Sequence, residues 1–397
     1  MPRIRSLATG TLLVAALASA AAQQSQPATF AVDPFWPKPL PNHWLFGSIT
    51  GVAIDTRDHV WVVHRGAASL NARTEIGLAA NPPSAEACCL PAPFVLRFDP
   101  SGAVAGHWGG PGAGYDWPQS PGGIAVDAKG NVWIAASGPP DAAPVARGRG
   151  AGTPATPPPP PDAHVLKFAP DGRFLLQIGK PAQPGDSNST TGLRRATAVE
   201  VDAAANEVYV ADGIDNHRVV VFDADTGAYK RHWGAYGAKP DDTAAGPYDP
   251  AAAPSKQFGV PACVKIAGDG LVYVCDRRND RIQVFRKDGT FVKEAFVAKD
   301  TRGEGSVWNL AFSRDPQQRF VYVADGSNQK VWVLRRDSLE VLSSVGAGGR
   351  WPGHFFGVGS IAVDSAGNLF TGETYEGKRL QKFTLKGAAR PKGGEQR

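Results

Sequence analysis

The stretch LVYVCDRRNDRIQVF at residues 271–285 contains two runs of apolar residues separated by a short polar segment. Val, Ile, Tyr and Phe are enriched in β-strands, whereas clusters of Asp and Asn mark turns. The stretch therefore predicts two antiparallel strands joined by a tight turn. The same pattern recurs at VYVADGIDNHRVVVF (208–222), which indicates that the chain contains an internal repeat.

Three phrases of this kind recur in a constant order six times along the chain. The first, an apolar strand that ends in an acidic or polar residue, occurs at GVAID (51–55), GIAVD (123–127), AVEVD (198–202), CVKIA (263–267), NLAFS (309–313) and SIAVD (360–364). The second follows a short turn, at HVWVVHR (59–65), NVWIAAS (131–137), EVYVADG (207–213), LVYVCDR (271–277), FVYVADG (320–326) and NLFTGET (368–374). The third occurs at FVLRFDPSG (94–102), HVLKFAPDG (164–172), RVVVFDADTG (218–227), RIQVFRKDG (281–289), KVWVLRRDS (330–338) and RLQKFTLKG (379–387). A fourth phrase, such as AVAGHWG (103–109), closes most units, so each unit is predicted to have four strands.

A single four-stranded unit cannot bury both of its faces, whereas radially arranged copies pack face to face and protect their edges. The sequence therefore predicts an all-β, six-bladed β-propeller with four-stranded antiparallel blades and the first strand of each blade nearest the channel. The sixth unit lacks a fourth phrase after Gly387, so TFAVD (29–33) is predicted to close the last blade. The predicted blades are 49–112, 121–180, 194–236, 259–298, 306–346 and 357–387 with 29–33.

The N-terminal residues are typical of a secretory signal peptide. Arg3 and Arg5 precede the apolar run LLVAALA (12–18), and small residues follow it. We predict that 1–22 is a signal peptide that directs export to the periplasm or the extracellular space; an uncleaved N-terminal anchor is the alternative. The apolar run is too short to span a membrane, so no transmembrane segment is predicted.

The rest of the chain is predicted to form one propeller domain at 23–390, followed by a polar tail at 391–397. The segment 138–163 contains PPPPP, a composition that predicts a disordered or polyproline-like insertion. The formal net charge of +5 is mild, and the basic residues are spread rather than clustered. Binding to nucleic acid is therefore not predicted.

The chain contains four cysteines, which allow three pairings in an oxidising compartment: Cys88, Cys89, Cys263 and Cys275. Cys263 and Cys275 flank one tight turn and are placed to face each other across a hairpin. Cys88 and Cys89 either form a vicinal bridge or pair elsewhere. Because the chain has no Cys-x-x-Cys motif or clustered Cys/His spacing, these residues do not predict a metal site.

The register of the repeats identifies the residues around the channel mouth. The inner strands enter the channel at Thr50, Gly122, Thr197, Ala262, Trp308 and Gly359. The second strands end at Arg65, Ser137, Gly213, Arg277, Gly326 and Thr374. Equivalent residues of alternate blades converge on the axis, so these two sets are expected to meet there.

Acids recur one residue before the ends of the second strands, at Asp212, Asp276 and Asp325. Their repetition at one register favours a structural role. They are predicted to bond to loop amides or to the cations that open the following strands, which are Arg218, Arg281 and Lys330.

The chain resembles peptidyl-α-hydroxyglycine α-amidating lyase (peptidylamidoglycolate lyase) and its bacterial NHL-repeat relatives. The resemblance is most specific at GVAIDTRDHVWVVHRG (51–66), VYVADGIDNHRVVVF (208–222) and LVYVCDRRNDRIQVF (271–285). It implies an NHL propeller in which three histidines hold zinc, with a calcium site beside the last of them. It also implies that a tyrosine and arginines act on a hemiaminal hydroxyl, so that C–N cleavage gives an amide and glyoxylate.

The metal positions of that family are not matched in this chain. Gly122, Ala262 and Gly359 occupy the three histidine positions, and Ser360 replaces the acid near the calcium site. Zinc in such a site lowers the pKa of a bound hydroxyl, and it cannot be held there without ligands. Neither zinc nor calcium is therefore predicted at these positions, although both are expected for the family.

The retained arginines carry the functional prediction. Arg65 and Arg277 match the family arginines, whereas Ile214 stands at the tyrosine position and has no titratable group. Paired guanidinium donors are suited to a carboxylate, and Trp308 is a candidate ligand platform. His64 is a weaker candidate acid or base, the alternative being a histidine bonded to backbone.

Three functions remain open on the sequence alone. The first is an exported propeller that binds a small carboxylate-bearing ligand, a peptide end or a protein partner at the channel mouth and lacks the zinc-dependent chemistry. The second is an active lyase, or another propeller lyase or hydrolase, with a non-standard metal site. The third is a structural or interaction scaffold whose loops, not its channel, contact the partner. For the two arginines themselves, the alternative to binding a carboxylate is a structural ion pair with a neighbour such as Asp276 or Asp212. The retained arginines favour the first.

Overall fold

The computed structural model describes residues 27–71, 74–138, 160–243 and 246–387. In this part of the chain, six four-stranded antiparallel sheets surround a central channel. The first strand of each sheet contacts the first strand of the next, and the sixth contacts the first, so the ring is closed. The predicted all-β, six-bladed β-propeller is confirmed.

Each blade runs outwards from the channel through its four strands. Blade 1 consists of Ile49–Ile54, Val60–His64, Val95–Phe98 and Val104–Trp108. Blade 2 consists of Pro121–Val126, Val132–Ala136, His164–Phe168 and Phe174–Gly179. Blade 3 consists of Ala196–Asp202, Glu207–Asp212, Arg218–Asp223 and Tyr229–Trp233. Blades 4 and 5 consist of Pro261–Ile266, Val272–Asp276, Arg281–Phe285 and Phe291–Phe296; and of Asn309–Phe312, Phe320–Asp325, Lys330–Arg335 and Val341–Val345. Blade 6 consists of Val358–Val363, Leu369–Glu373, Leu380–Leu385 and the N-terminal strand Phe30–Asp33.

The N-terminal strand closes blade 6 as predicted. It pairs antiparallel with Leu380–Leu385, and Val32 lies opposite Phe383. Because strands from both ends of the chain share one sheet, the ring cannot open without breaking this pairing.

Buried apolar side chains fill the space between neighbouring blades. Trp61 of blade 1 packs with Ile124 of blade 2, and Trp133 of blade 2 belongs to the cluster shared with blade 3. The indole N–H groups of both tryptophans donate to turn carboxylates, at 3.0 Å from Asp55 and 3.3 Å from Asp127. Since a buried indole N–H needs a partner, the repeated acid in the turn stabilises the packing of the tryptophan beneath it.

Short elements and disulfides complete the described structure. The short 3₁₀ helices are Gly66–Ser69, Gly77–Ala79, Ala235–Gly237 and Arg277–Asn279. Trp44–Leu45 pairs in parallel with Leu90–Pro91. Cys263 and Cys275 lie directly opposite each other in blade 4 and form a disulfide, while Cys88 is bonded to its neighbour Cys89.

Some sequence predictions fall on other parts of the chain. The predicted signal peptide at 1–22 and the tail at 391–397 lie outside the described residues, as does most of the insertion at 138–163. Within the four described ranges, no helix is both long enough and apolar enough to cross a membrane.

Candidate functional site

A β-bulge interrupts the inner strand of five blades at the channel mouth. In blade 1, Ile49 pairs with His64 and Gly51 pairs with Val63, so Thr50 stands outside the regular ladder. The same register shift occurs in blades 2, 3, 4 and 6, at Gly122–Gly123, Thr197, Ala262 and Gly359. Because a bulge bends its strand and redirects the extra residue, these positions turn towards the mouth.

The bulged residues line one cavity of about 120 Å³ at the mouth. Its walls are formed by Ile49, Thr50, Arg65, Gly122, Ser137, Thr197, Ile214, Ala262, Arg277, Trp308, Gly359, Thr374 and Tyr375. The structure thus brings together every residue predicted to enter the channel, together with the strand ends of blades 1, 2, 4 and 6. Among these lining residues, only Arg65 and Arg277 carry a charge.

Arg277 follows the second strand of blade 4 and lies over an aromatic ring. Its guanidinium carbon is 4.6 Å from the centre of the Trp308 ring, within the range of a cation–π contact. The indole is buried and donates from Nε1 to the carbonyl of Gly305 at 2.7 Å, which fixes the plane of the ring. The Arg277 Nη2 atom donates to Glu304 at 2.5 Å. Its ion-pair partner is therefore Glu304 rather than Asp276.

Arg65 occupies the equivalent strand end in blade 1. Its backbone amide donates to the carbonyl of Ser48 at 3.0 Å, and its side chain is half-buried in the cavity wall. Blades 1 and 4 are three positions apart in a ring of six, so Arg65 and Arg277 reach the mouth from opposite sides. Two opposed guanidinium groups can hold a single anion between them.

Tyr375 also lines the mouth, and sequence reasoning missed it. It follows the strand end at Thr374 in blade 6, the register that Ile214 occupies in blade 3 on the opposite side. Its ring meets that of Trp308 edge to face, with centroids 5.9 Å apart, and its carbonyl accepts a bond of 2.8 Å from Ser48 Oγ. The repeat alignment could have found this residue, because Tyr375 follows the second strand of blade 6 at the position that Ile214 occupies in blade 3.

The residues at the family metal positions do not fit zinc. Gly122, Ala262 and Gly359 offer no ligating side chain. A Cβ atom at Gly122 would lie 3.0 Å from the carbonyl oxygen of Ala196, which leaves little room for any larger residue there. Across the described residues, no group of three His, Cys, Asp or Glu side chains is arranged to hold a metal ion. Ser360 supplies only a neutral, buried hydroxyl at the calcium position.

His64 is bonded to backbone on both sides of its ring. Nδ1 accepts from the amides of Gly47 and Gly66 at 3.0 Å each, and Nε2 lies 2.8 Å from the carbonyl of Pro93, to which it donates. The ring is fully buried, and burial lowers the pKa of His64 to about 4. Its hydrogen-bonding capacity is thus used in joining three chain segments behind the cavity, and it does not line the cavity itself.

The recurring acids are structural. Asp212 accepts from Arg218 at 2.9 Å and Asp276 accepts from Arg281 at 2.8 Å, with all four side chains fully buried. Asp325 instead accepts from the amides of Ser327 and Asn328 and from the side chains of Asn328 and Trp332. Asp325 thus follows the loop-amide alternative of the prediction, while Lys330 lies over the Trp332 ring.

Comparison with known proteins finds one repeat family and several distant relatives. The NHL repeat family matches residues 258–285, which contain the first three strands of blade 4. The chain is 25% identical over 356 residues to peptidylglycine alpha-amidating monooxygenase of Rattus norvegicus and to that of Mus musculus. These matches cover 85% of this chain but only 30% of each relative. Peptidyl-glycine alpha-amidating monooxygenase B of Xenopus laevis is 33% identical over 122 residues, which is 30% of this chain and 12% of that protein.

The chain spans less than a third of the length of these relatives. The rat and mouse matches extend over most of this chain. The chain is therefore a six-bladed β-propeller with an NHL repeat in blade 4, similar over most of its length to peptidylglycine α-amidating monooxygenases.

Proposed function

We propose that this protein is an exported β-propeller that binds a small carboxylate-bearing ligand, or the carboxylate end of a peptide or protein partner, at the channel mouth. The observation that carries the proposal is the cavity wall, in which two opposed arginines are the charged lining residues. Guanidinium groups bind carboxylates through charge-assisted, paired hydrogen bonds. The rings of Trp308 and Tyr375 line the same cavity and provide an apolar contact for the part of the ligand next to its carboxylate.

Export is proposed from the sequence and supported by the cysteines. The segment 1–22 has the charge, apolar run and small residues of a signal peptide. The disulfide between Cys263 and Cys275 suits an oxidising compartment, because thiols in a reducing cytosol stay reduced.

Binding of N-acetylglycine, compared with its neutral analogue N-acetylglycinamide, tests the ligand proposal. We expect the acid to bind and the amide to bind at least tenfold more weakly, since a hydrogen bond to a charged group contributes about 1.5–3 kcal/mol. Arg277→Ala and Arg65→Ala should each weaken binding of the acid by about 10- to 100-fold. Isothermal titration calorimetry measures all of these affinities.

Arg286→Ala is the control, because Arg286 lies in the same blade as Arg277, is exposed and is absent from the cavity wall. It should bind N-acetylglycine nearly as wild type does. Thermal melting of the Arg65 and Arg277 variants should stay close to that of wild type, since both side chains are only partly buried. Equal affinity of wild type and both cavity variants for the acid would contradict the proposal and favour a scaffold role.

A carbon–nitrogen lyase acting on a peptidyl-α-hydroxyglycine is the second candidate. It is favoured by the 25% identity over 356 residues to peptidylglycine alpha-amidating monooxygenases and by the two arginines at the mouth. A phenol is also present there, although Tyr375 stands on blade 6 and not at the position of Ile214.

Elemental analysis after dialysis against a chelator separates the two candidates. We expect well below one zinc per chain, because the converging positions Gly122, Ala262 and Gly359 provide no side-chain ligand. We also expect no glyoxylate from α-hydroxyhippurate. One tightly held zinc per chain together with glyoxylate release would establish the lyase instead.

A further inference from the structure

Glu304 places a carboxylate of the protein itself on the arginine of the proposed site. Its Oε2 atom accepts from Arg277 Nη2 at 2.5 Å, and its Oε1 atom lies 3.5 Å from Arg278 Nη2. The Glu304 side chain is 42% exposed, whereas that of Arg277 is 17% exposed. Glu304 therefore approaches Arg277 from the solvent side of the mouth.

The backbone around Glu304 is shaped for this approach. Gly303 and Gly305 flank it with φ values of 73° and 77°, in the left-handed region that favours glycine. A Cβ atom at Gly305 would lie 1.9 Å from the carbonyl oxygen of Arg277, so only glycine allows the two segments to touch. The loop is thus held directly against the residue to which its carboxylate binds.

The base of the loop is anchored by hydrogen bonds from blades 4 and 5. The Gly305 carbonyl accepts from Trp308 Nε1 at 2.7 Å and from Ser327 Oγ at 2.6 Å. The amide of Ser306 donates to the buried Asp280 at 2.8 Å. Glu304 therefore stays beside Arg277 on a fixed support, and its side chain, 42% exposed, borders solvent.

The Glu304–Arg277 pair differs from the structural ion pairs below it. Arg281 and Asp276 are both fully buried, and breaking that pair would leave a charge without water. A partly exposed pair contributes little net stability, since water replaces the lost partner. A carboxylate from solution presents the same kind of acceptor oxygen to Arg277. Replacing Glu304 by such a carboxylate therefore costs little free energy.

We infer that Glu304 is an internal carboxylate that occupies Arg277 in the free protein and is displaced by the carboxylate of the ligand. The inference rests on the proposed function of the site. A simple anion such as acetate forms with Arg277 only the ion pair that Glu304 already forms, so displacing Glu304 gives acetate little net binding energy. A ligand that also contacts Arg65 and the Trp308–Tyr375 surface gains more, so it still binds when competition by Glu304 lowers the affinity for every carboxylate.

The test is the affinity of wild type and Glu304→Gln for N-acetylglycine and for acetate. Removing the competing charge should raise the affinity for both anions by about two- to fivefold. Asp300→Asn is the matched control, because it removes one exposed carboxylate from the same loop without touching the cavity. In an Arg277→Ala background, Glu304→Gln should bring no gain, since the competition acts through Arg277.

The outcomes separate this inference from the proposed function. Binding by wild type that depends on Arg277, with unchanged or weaker binding by Glu304→Gln, would overturn the inference and leave the proposed function standing. Unchanged affinity in both Arg277→Ala and Arg65→Ala would overturn the proposed function. Absence of binding by both wild type and Glu304→Gln would overturn the proposed function and the inference. An equal gain in affinity for Asp300→Asn would show that the effect comes from the change in net charge, and would overturn the inference.

Discussion

Replacing Arg281 by alanine should lower the free energy of unfolding by about 3–5 kcal/mol. Arg281 is fully buried and donates from Nε to Asp276 at 2.8 Å. Its other nitrogens donate to the hydroxyl of Tyr236 at 2.7 Å and to the carbonyl of Gln257 at 3.0 Å. Alanine would leave the Asp276 carboxylate buried without its cation. Equilibrium denaturation in guanidinium chloride measures the loss.

The control for this prediction is Arg286→Ala in the same blade. Arg286 is exposed, so its removal should change the free energy of unfolding by less than about 0.5 kcal/mol. Similar midpoints for Arg281→Ala and wild type would show that the buried pair contributes little, against the expectation from its burial.

Acidification from pH 7 to pH 4 should lower the free energy of unfolding by about 3 kcal/mol through His64 alone. Burial lowers the pKa of His64 to about 4 in the folded protein, whereas the unfolded chain takes up this proton near pH 6.5. The stability that neutral, buried His64 contributes to the folded protein is therefore fully present above pH 6.5. Between pH 6.5 and 4 the unfolded state binds more protons, so stability falls as pH falls.

Denaturation at a series of pH values in wild type and His64→Gln measures this effect. The variant should be less stable at pH 7, because Gly47 and Gly66 lose the imidazole acceptor, but its stability should fall less steeply between pH 6.5 and 4. His107→Gln removes an exposed histidine and should keep the wild-type slope. An unchanged slope in His64→Gln would show that His64 titrates normally in the folded protein.

The repeat pattern was sufficient to predict the propeller and the position of its mouth. Each strand phrase ends in a turn of similar length, so equivalent residues occupy equivalent places around the ring. For this reason Thr50, Ala262 and Trp308 could be grouped from the sequence, and the structure places them in one cavity. The closing strand at 29–33 was predictable because only one blade lacked its fourth phrase.

The loops were less predictable, because their conformations depend on contacts with other blades. Tyr375 has a φ value of 48°, and Ser48 of blade 1 binds its carbonyl. Glu304 reaches Arg277 only because Gly305 touches the backbone of blade 4. The arginine thus pairs with an acid distant in sequence rather than with its neighbour Asp276, which Arg281 already binds.

The sequence by itself determined the number of blades, the closure of the ring and the identity of the residues where the inner strands enter the channel. These features depend on strand periodicity and residue identity, which are local properties of the chain. Only the tertiary structure decided which side chains meet at the mouth. Bulges at Thr50, Thr197 and Gly359 turn the strands there, and loops from different blades supply Glu304 and Tyr375. Such contacts arise from the packing of distant segments, which no local pattern encodes.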